Sequence, residues 1–477
     1  MRLTYLLIAA GAVCGVSLNV GCTNSDDQSN NDAEEPVVAS QSEKPSAGST
    51  KPAPKAKQRK PEAKQRKPKP RKTDVVAARP PSKSADQPKT TVATNPSVTT
   101  GKFEWPCWRG PNGNGLSGET GLIHSFPEDG PNIVWRAKLG TGYSGIAVAG
   151  GRAFTSFGED DRAKAVCFDA ANGEELWKIE IGKDFGGGRS PGPRAMPCVD
   201  GDRVYFVGAF GRLLCLNVDS GKEVWSMNLY EKFGMRQHEE GLSPTPLVDG
   251  KKLIVMAGKH VFALDKTSGQ EIWKSLEERM QHCSPRLATI NGRKQLLALT
   301  GHNLVGLSLE DGEEIWRHDD GGHVATPVVG PNNQIFIGRA YGGGNQVVRV
   351  DGDTARQVYK GNTMATHHAT AVYYEGHLYG FHDRPGIFKC IDFATGEEKW
   401  VTRAVGKGKL IIADGQIILI SESGRLLLAP VSSKEFEPTA KIRVLQGTCY
   451  TAPTLAGGKL YLRSNQEMVC IEMKGAK

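Results

Sequence analysis

The chain has 477 residues, of which 38% are hydrophobic and 23% charged, and its formal net charge at pH 7 is +8. Seventeen Lys and Arg and nine Asp and Glu lie in residues 1–102, whereas the rest of the chain carries forty-three charges of each sign. The excess positive charge therefore belongs to the N-terminal part, and it gives no support for a nucleic-acid-binding domain.

Residues 1–22 have the pattern of a bacterial secretion signal of the lipoprotein kind. A short basic end, Met1-Arg2, precedes an apolar run from Leu3 to Val20 and the pair Gly21-Cys22. We expect lipid attachment at Cys22, and hence an exported, periplasmic or cell-envelope protein held to a membrane by a lipid anchor. A plain signal peptide or a short membrane anchor is the alternative, because Asn19 stands where lipoprotein signals usually carry Leu, Val or Ile.

Residues 23–102 are predicted to be a disordered tether rich in Lys and Pro. They have almost no aromatic or long aliphatic side chains, so they cannot bury enough apolar surface to offset the entropy of ordering. The phrase AKQRKP occurs twice, at Ala56–Pro61 and Ala63–Pro68, within a strongly basic run. The run favours an extended, self-repelling tether, with binding to anionic lipid or cell-wall polymer as the alternative.

Residues 103–477 contain one phrase of eleven residues that recurs five times. Each copy reads as the end of one strand, a tight turn with Gly, and the start of the next strand, which ends in Trp. The copies are CFDAANGEELW (Cys167–Trp177), CLNVDSGKEVW (Cys215–Trp225), ALDKTSGQEIW (Ala263–Trp273), GLSLEDGEEIW (Gly306–Trp316) and CIDFATGEEKW (Cys390–Trp400).

The spacing of the phrase predicts a β-propeller. The Trp position recurs every 41 to 48 residues, with Tyr359 replacing Trp once and a much weaker unit ending near Phe436. Four short strands fit in each unit, and an isolated four-stranded blade cannot cover its own apolar faces. In the third unit the predicted strands are Thr245–Val248, Leu253–Ala257, Val261–Asp265 and one that begins with Glu271–Trp273.

The two ends of this region predict how the ring closes. Thr451–Gly475 supplies three strands, and Asn132–Gly140 supplies a fourth strand with a Trp and nothing before it. Pairing them removes two exposed edges. We therefore predict an all-β fold, a monomeric eight-bladed β-propeller of four-stranded antiparallel blades, with seven blades as the alternative. The expected blade-packing residues are Trp135, Trp177, Trp225, Trp273, Trp316 and Trp400.

Three features together resemble the pyrroloquinoline-quinone-type propeller repeat proteins. They are WPCWRGPNGNGLSGET (Trp105–Thr120), GYSGIAVAGGRAF (Gly142–Phe154) and the repeated phrase ending in Trp. That group includes the quinoprotein alcohol dehydrogenases and the outer-membrane assembly lipoprotein BamB. The resemblance extends from about Glu104 to the C-terminus, and it is specific for the fold more than for a function.

The dehydrogenases that the chain resembles hold the quinone over a disulfide between two adjacent cysteines and bind Ca²⁺ beside it. The sequence contains no Cys-Cys pair and no acidic cluster resembling that calcium site. We therefore expect no cofactor and assign no metal ligand, with pyrroloquinoline quinone as the alternative although its adjacent-cysteine and calcium-site signature is absent.

Histidines are predicted to gather on one rim of the ring. The segment before the first strand of each unit should cross that rim and face the central channel, where propellers bind ligands. Three interpretations stay open: a polar rim that binds a ligand or partner, a metal site, or solvated loop histidines. The candidate rim residues are Arg194, His238, Glu239, His282, His323, His367, His368 and Tyr450. If this segment is extended, the adjacent residues His367 and His368 are expected to point to opposite sides.

The cysteines divide into two groups. Cys167, Cys215, Cys390 and Cys470 share a small-residue position in third strands and are expected to be buried packing residues. Blade-to-blade distances argue against disulfides among the cysteines near the rim, Cys198, Cys283 and Cys449. A disulfide from Cys107 to one of them stays open, because an exported protein can form it.

From these observations we predict an exported, membrane-tethered, non-catalytic propeller that binds or scaffolds a protein or an envelope polymer. The alternative is an exported quinone- or metal-dependent oxidoreductase of the quinoprotein dehydrogenase type. No catalytic constellation can be assigned from the spacing of residues.

Overall fold

The computed structural model describes residues 103–186, 191–237, 241–321 and 324–475. The predicted signal, Cys22 and the tether lie outside these residues. The one helix in the described chain is Leu229–Lys232, which begins after Asn228, whose side chain accepts hydrogen bonds from the N–H groups of Tyr230 and Glu231. No described helix has the length and apolar character needed to span a membrane.

Eight four-stranded antiparallel sheets, numbered here as blades 1 to 8 in chain order, make up the fold. The first strands of neighbouring blades contact one another, so they line the centre of the ring. Blade 1 contains Ala147–Ala149, Arg152–Glu159, Arg162–Asp169 and Glu175–Lys183. Blade 2 contains Cys198–Asp200, Arg203–Val207, Arg212–Asn217 and Glu223–Asn228. Blade 3 contains Leu247–Asp249, Lys252–Ala257, His260–Asp265 and Glu271–Ser275.

The next four blades repeat this order. Blade 4 contains Arg286–Ile290, Arg293–Leu299, Asn303–Ser308 and Glu314–Asp319. Blade 5 contains Val328–Val329, Gln334–Arg339, Gly344–Asp351 and Thr354–Gly361. Blade 6 contains Val372–Tyr374, His377–His382, Ile387–Asp392 and Glu398–Thr402. Blade 7 contains Gly408–Ala413, Gln416–Ser421, Arg425–Pro430 and Ala440–Arg443, and Leu116–Ser117 adds a short parallel strand to its inner edge.

Blade 8 closes the ring with strands from both ends of the described chain. Its inner strands are Thr454–Ala456, Lys459–Arg463 and Glu467–Glu472, and its outer strand is Ile133–Lys138. The outer strand pairs antiparallel with Glu467–Glu472, with Trp135 opposite Cys470. The predicted eight blades and the predicted closure are therefore confirmed, and the alternative of seven blades is wrong.

The repeated phrase joins each blade to the next through its Trp. In blade 3 Trp273 lies opposite Ala263 on the neighbouring strand, and its indole nitrogen donates to the carbonyl oxygen of Leu309 in blade 4 at 3.3 Å. Small residues occupy the position opposite Trp because the ring lies over that site. Equivalent indole bonds to the following blade are made by Trp135, Trp177, Trp225 and Trp400.

Two units depart from this rule. Trp316 donates instead to the side-chain oxygen of Gln295 within its own blade, at 2.7 Å. Phe436 does not belong to the fourth strand of its unit, which is Ala440–Arg443; it lies in the preceding loop with its ring centroid 5.7 Å from that of Trp400. The fourth strand of the seventh unit carries no Trp, and Phe436 packs on the Trp of blade 6.

Candidate functional site

The N-terminal segment, residues 103–122, covers one side of the ring. Its ends bind the turns between first and second strands: the amide of Gly150 in blade 1 donates to Glu104, and the amide of Leu122 donates to Asp414 in blade 7. The amide of Gly458 in blade 8 donates to Glu119 at 2.6 Å. The turns of blades 7, 8 and 1 on this side of the ring are therefore covered by the protein's own chain.

The middle of the same segment reaches the first strand of blade 2 and the residues just before the first strands of blades 5 and 6. Pro106 accepts a hydrogen bond from the amide of Val199, and the Trp108 indole donates to Thr326 at 3.1 Å. The guanidinium of Arg109 is buried and donates to the carbonyl oxygens of Thr370 and Ala371 at 3.1 and 2.8 Å. Burial and the nearby Arg286 lower the pKa of Arg109 to about 9. This segment thus joins blades 2, 5 and 6 through the centre of the ring.

A cavity of about 280 Å³ opens on the opposite side, which we call the rim cavity. Turns between second and third strands form part of its wall, with Tyr341 from blade 5, Asp383 from blade 6 and Glu422 from blade 7. The segments that precede first strands, together with residues of a second strand in blade 6 and a first strand in blade 7, form the rest. The residues that define the rim cavity are Tyr341, His367, His368, Ala369, Phe381, His382, Asp383, Arg384, Lys407, Gly408, Lys409, Glu422, Cys449 and Tyr450.

Asp383 is the centre of the charged wall of the rim cavity. Its Oδ1 lies 3.4 Å from His367 Nδ1 and 4.0 Å from Lys407 Nζ, while its Oδ2 lies 3.8 Å from Arg384 Nε. Asp383 is buried, and Oδ2 has no hydrogen-bond partner among the described residues. The carboxylate of Asp383 is therefore held among three basic side chains of the cavity wall.

The ring of Tyr341 stands at the mouth of the cavity. It is 59% exposed, it meets the His367 ring edge-on with centroids 4.8 Å apart, and the Arg384 guanidinium lies 5.2 Å from its centroid. An exposed aromatic ring among charged groups is typical of a binding surface.

Lys409 forms the floor. Its ammonium donates to the carbonyl oxygen of His368, and burial lowers the pKa of Lys409 to about 7, with nearby Glu422 opposing the shift. Burial also lowers the pKa of His368 to about 2, so this imidazole is neutral at physiological pH.

The Tyr450 hydroxyl donates to Glu422 Oε1 at 2.5 Å, and burial together with Glu422 raises the pKa of Tyr450.

The structure brings only part of the predicted rim together. His367, His368 and Tyr450 line the rim cavity, and His282 lies near enough to His368 to lower its pKa. Arg194 is elsewhere, with its guanidinium 4.4 Å from the centroid of the Phe185 ring. The predicted rim residues His238, Glu239 and His323 lie outside the described residues.

His367 and His368 do not point to opposite sides. Their ring centroids are 3.7 Å apart. The expectation assumed an extended segment, but the first strand of blade 6 begins only at Val372, so the side chains before it do not alternate.

Sequence reasoning missed most of the charged residues of the cavity. It considered only the segments before first strands, whereas turns between second and third strands reach the same rim. The available signal was the charged sequence HDRPG in blade 6 (His382–Gly386), where blade 3 has only Gly258 and Lys259 between the corresponding strands.

The thiols of the described chain do not match a quinone site of the kind that the resemblance implies. Cys449 is the one cysteine of the rim cavity, and no two cysteines are adjacent in the sequence. The described part of the chain contains no group of three or more His, Cys, Asp or Glu that could hold a metal ion.

Solved structures share the fold. BamB from Moraxella catarrhalis is 16% identical over 72% of this chain and 98% of its own, with a TM-score of 0.53. The quinohemoprotein alcohol dehydrogenase from Comamonas testosteroni is 11% identical over 78% of this chain and 81% of its own, with a TM-score of 0.56. The computationally designed Ika8 protein is 12% identical over 72% of this chain and 100% of its own, with a TM-score of 0.53. At these identities the likeness concerns the fold alone.

The chain also matches a protein family by sequence. No curated protein matches it. The profile of the family described as outer membrane protein assembly factor BamB matches residues 119–189 and 183–402, which is more than half of the chain. The protein therefore belongs to the family of the outer membrane protein assembly factor BamB.

Proposed function

We propose that the protein is an exported, membrane-tethered, non-catalytic propeller that binds a protein partner through the side of the ring that carries the rim cavity. The family match supports a role in assembling other proteins of the cell envelope. The observation that carries the proposal is the difference between the two sides of the ring: the N-terminal segment covers one, and the rim cavity opens on the other.

The path of the chain supports this choice of binding side. The carbonyl oxygen of Phe103 accepts a hydrogen bond from the amide of Gly457, in the turn between the first and second strands of blade 8. The chain thus joins the propeller on the side opposite the rim cavity. In this proposal a lipid at Cys22 and a tether over residues 23–102 hold the protein to the membrane.

The proposal includes neither a quinone nor a metal. The alternative function, an exported quinone- or metal-dependent oxidoreductase, stays a hypothesis. No set of described residues around the rim cavity favours it over the binding of a partner. An envelope polymer as the partner is a second possible outcome of the experiment below.

Co-purification from native envelopes tests the proposal. We compare the wild type with a triple variant, Tyr341→Ala, Arg384→Ser and Lys407→Ser, whose side chains stand exposed or half-exposed at the cavity mouth. The control is Val358→Ala with Lys360→Ser, on the outer strand of blade 5. We expect the mouth variant alone to lose a protein partner. Retention of the same companions by all three proteins would contradict the proposal.

A further inference from the structure

Lys409 places a buried ammonium group at the floor of the rim cavity. Its side chain is nine-tenths buried, and its one hydrogen-bond acceptor among the described residues is the carbonyl oxygen of His368. An ammonium group has three donors, so two are available to a bound molecule. A buried cation gains most from an anionic acceptor that reaches it there.

The two carboxylates of the cavity are already engaged. Glu422 accepts from the Tyr450 hydroxyl, and Asp383 faces His367, Arg384 and Lys407 within 4.0 Å. The side chains of Arg384 and Lys407 are 74% and 50% exposed at the mouth, where they add positive charge along the path to the floor. An incoming acid is therefore attracted from the mouth to Lys409.

The rest of the wall combines three histidines with apolar or aromatic side chains. Ala369 and Phe381 line the cavity beside the tyrosines, and the Phe381 ring is buried. We propose that the rim cavity binds a carboxylate attached to an apolar or aromatic group, with the carboxylate on the Lys409 ammonium. This inference rests on the proposed function and names the chemistry that the recognition site takes. A free small acid and the C-terminus of a partner protein both supply that chemistry.

Two pairs of probes test this proposal on the full chain by calorimetry. Benzoate is compared with benzamide, and a peptide ending in Phe with a free carboxylate is compared with the same peptide amide. We expect an acid to bind at least tenfold more tightly than its amide, and Lys409→Met to lose at least tenfold in affinity for that acid. The control Lys389→Met removes an ammonium that pairs with Glu398 at 2.7 Å and should bind as the wild type does.

The binding results distinguish a free small acid from a protein C-terminus as the source of the carboxylate. Binding of benzoate assigns the site to free small acids, and binding of the peptide acid alone assigns it to a protein C-terminus. The proposal falls if neither acid binds, if amides bind as well as acids, or if Lys409→Met binds like the wild type. Loss of a partner by the mouth variant without acid binding would leave the proposed function in place and remove only this inference.

A second, independent observation concerns Cys107 and Cys198. The amide of Val199 donates to the carbonyl oxygen of Pro106 at 2.9 Å, which holds the N-terminal segment against the first strand of blade 2. Cys107 directly follows Pro106, and Cys198 directly precedes Val199, so the two cysteines lie beside this hydrogen bond. Both thiols are buried in one apolar cluster, where the neighbouring Cys198 lowers the pKa of the Cys107 thiol.

We infer that Cys107 and Cys198 form a disulfide in the exported protein. The hydrogen bond from Val199 to Pro106 holds the two segments side by side, and a disulfide requires Cα atoms about 4.4–6.8 Å apart. The two thiols lose two protons and two electrons to form the S–S bond, and a disulfide-bearing oxidoreductase of the compartment is reduced to its dithiol. The bond would tie the N-terminal segment to blade 2 covalently.

Mass spectrometry of the full chain exported into a bacterial periplasm tests this inference. The protein is denatured and alkylated without reductant, then digested. We expect a peptide linked through Cys107 and Cys198, with Cys283 alkylated as the control for a buried thiol. Reductant should lower the melting temperature of the wild type and leave that of Cys107→Ser unchanged. Alkylation of both Cys107 and Cys198 in the exported protein would overturn the inference.

Discussion

The indole of Trp225 lies directly over Gly269 of the next blade, where an added Cβ would stand 2.9 Å from the Cε3 atom of the indole and 2.7 Å from Cε of Met227. The same arrangement relates Trp177 to Gly221 and Trp273 to Gly312. The turn glycine of the repeated phrase therefore serves the packing between blades as well as the turn itself.

Two glycines with positive φ allow the cost of backbone strain in the turn to be measured apart from the cost of packing between blades. Gly250 has φ +58° and open space at the Cβ position, while Gly269 has φ +72° and the Trp225 ring there. We expect Gly250→Ala to cost about 1 kcal/mol of unfolding free energy through backbone strain. Gly269→Ala should cost about 1–3 kcal/mol more through overpacking. Urea unfolding measures both, and equal losses would show that the packing contact carries no energy.

The Trp residues are expected to carry much of the stability between blades. Trp273 is buried and bonded to Leu309 of the next blade, so Trp273→Ala should cost about 3–5 kcal/mol. Its neighbour Ile272 is 44% exposed, and Ile272→Ala should cost less than about 0.5 kcal/mol. Similar melting temperatures for the two variants would contradict the role of the indole.

Arg463 joins blade 8 to blade 1 at the closure of the ring. Its guanidinium is buried and donates to the carbonyl oxygens of Gly142, Ser144 and Ser156 at 3.0, 3.3 and 2.8 Å. Arg463→Met would remove three hydrogen bonds to carbonyl oxygens at this junction and should cost about 3 kcal/mol or more. Chemical unfolding measures the loss, with the exposed Arg443→Met as control; a loss no larger than in that control would contradict this role.

Because of Lys409, the free energy of unfolding of the protein should depend on pH. Burial lowers the pKa of Lys409 to about 7, whereas in the unfolded chain it is roughly 10.4. Between these values the unfolded chain binds the proton and the folded chain does not, so this group makes stability rise with pH. Below about pH 7 both states are protonated, and the cost of the buried charge is fully present.

Lys409→Met should remove the part of the pH dependence of the unfolding free energy that Lys409 causes. The groups near Lys409, including Arg109, Lys407, Glu422 and His368, remain in both proteins, so the comparison of wild type with variant subtracts most of their titration. We expect the stability of the wild type relative to the variant to rise by on the order of 2–4 kcal/mol between pH 6.5 and 10. Parallel pH profiles in urea unfolding would contradict the lowered pKa.

The fold could be predicted because its signal is local and repeated. The eleven-residue phrase fixes a turn, a small residue and a Trp within one unit, and these three features position each blade against the next. The closure was predictable as well, because Trp135 stands in a strand that lacks the rest of its unit.

The rim cavity could not be predicted in the same way. Tyr341, Asp383 and Glu422 belong to turns that differ from blade to blade, so no repeat marks them. Lys409 lies in a first strand and is buried only because several blades meet there. The role of residues 103–122 was equally hidden, because Arg109 and Trp108 find their partners more than 200 residues away.

Site-specific photo-crosslinking in living cells tests the central claim most directly. A crosslinking amino acid replaces Tyr341 at the mouth of the rim cavity, and in a matched strain it replaces Val358, which is 44% exposed on the outer strand of the same blade. We predict one discrete protein adduct from position 341 and none from position 358. An adduct from position 358 with none from position 341 would place recognition on the outer surface and contradict the account.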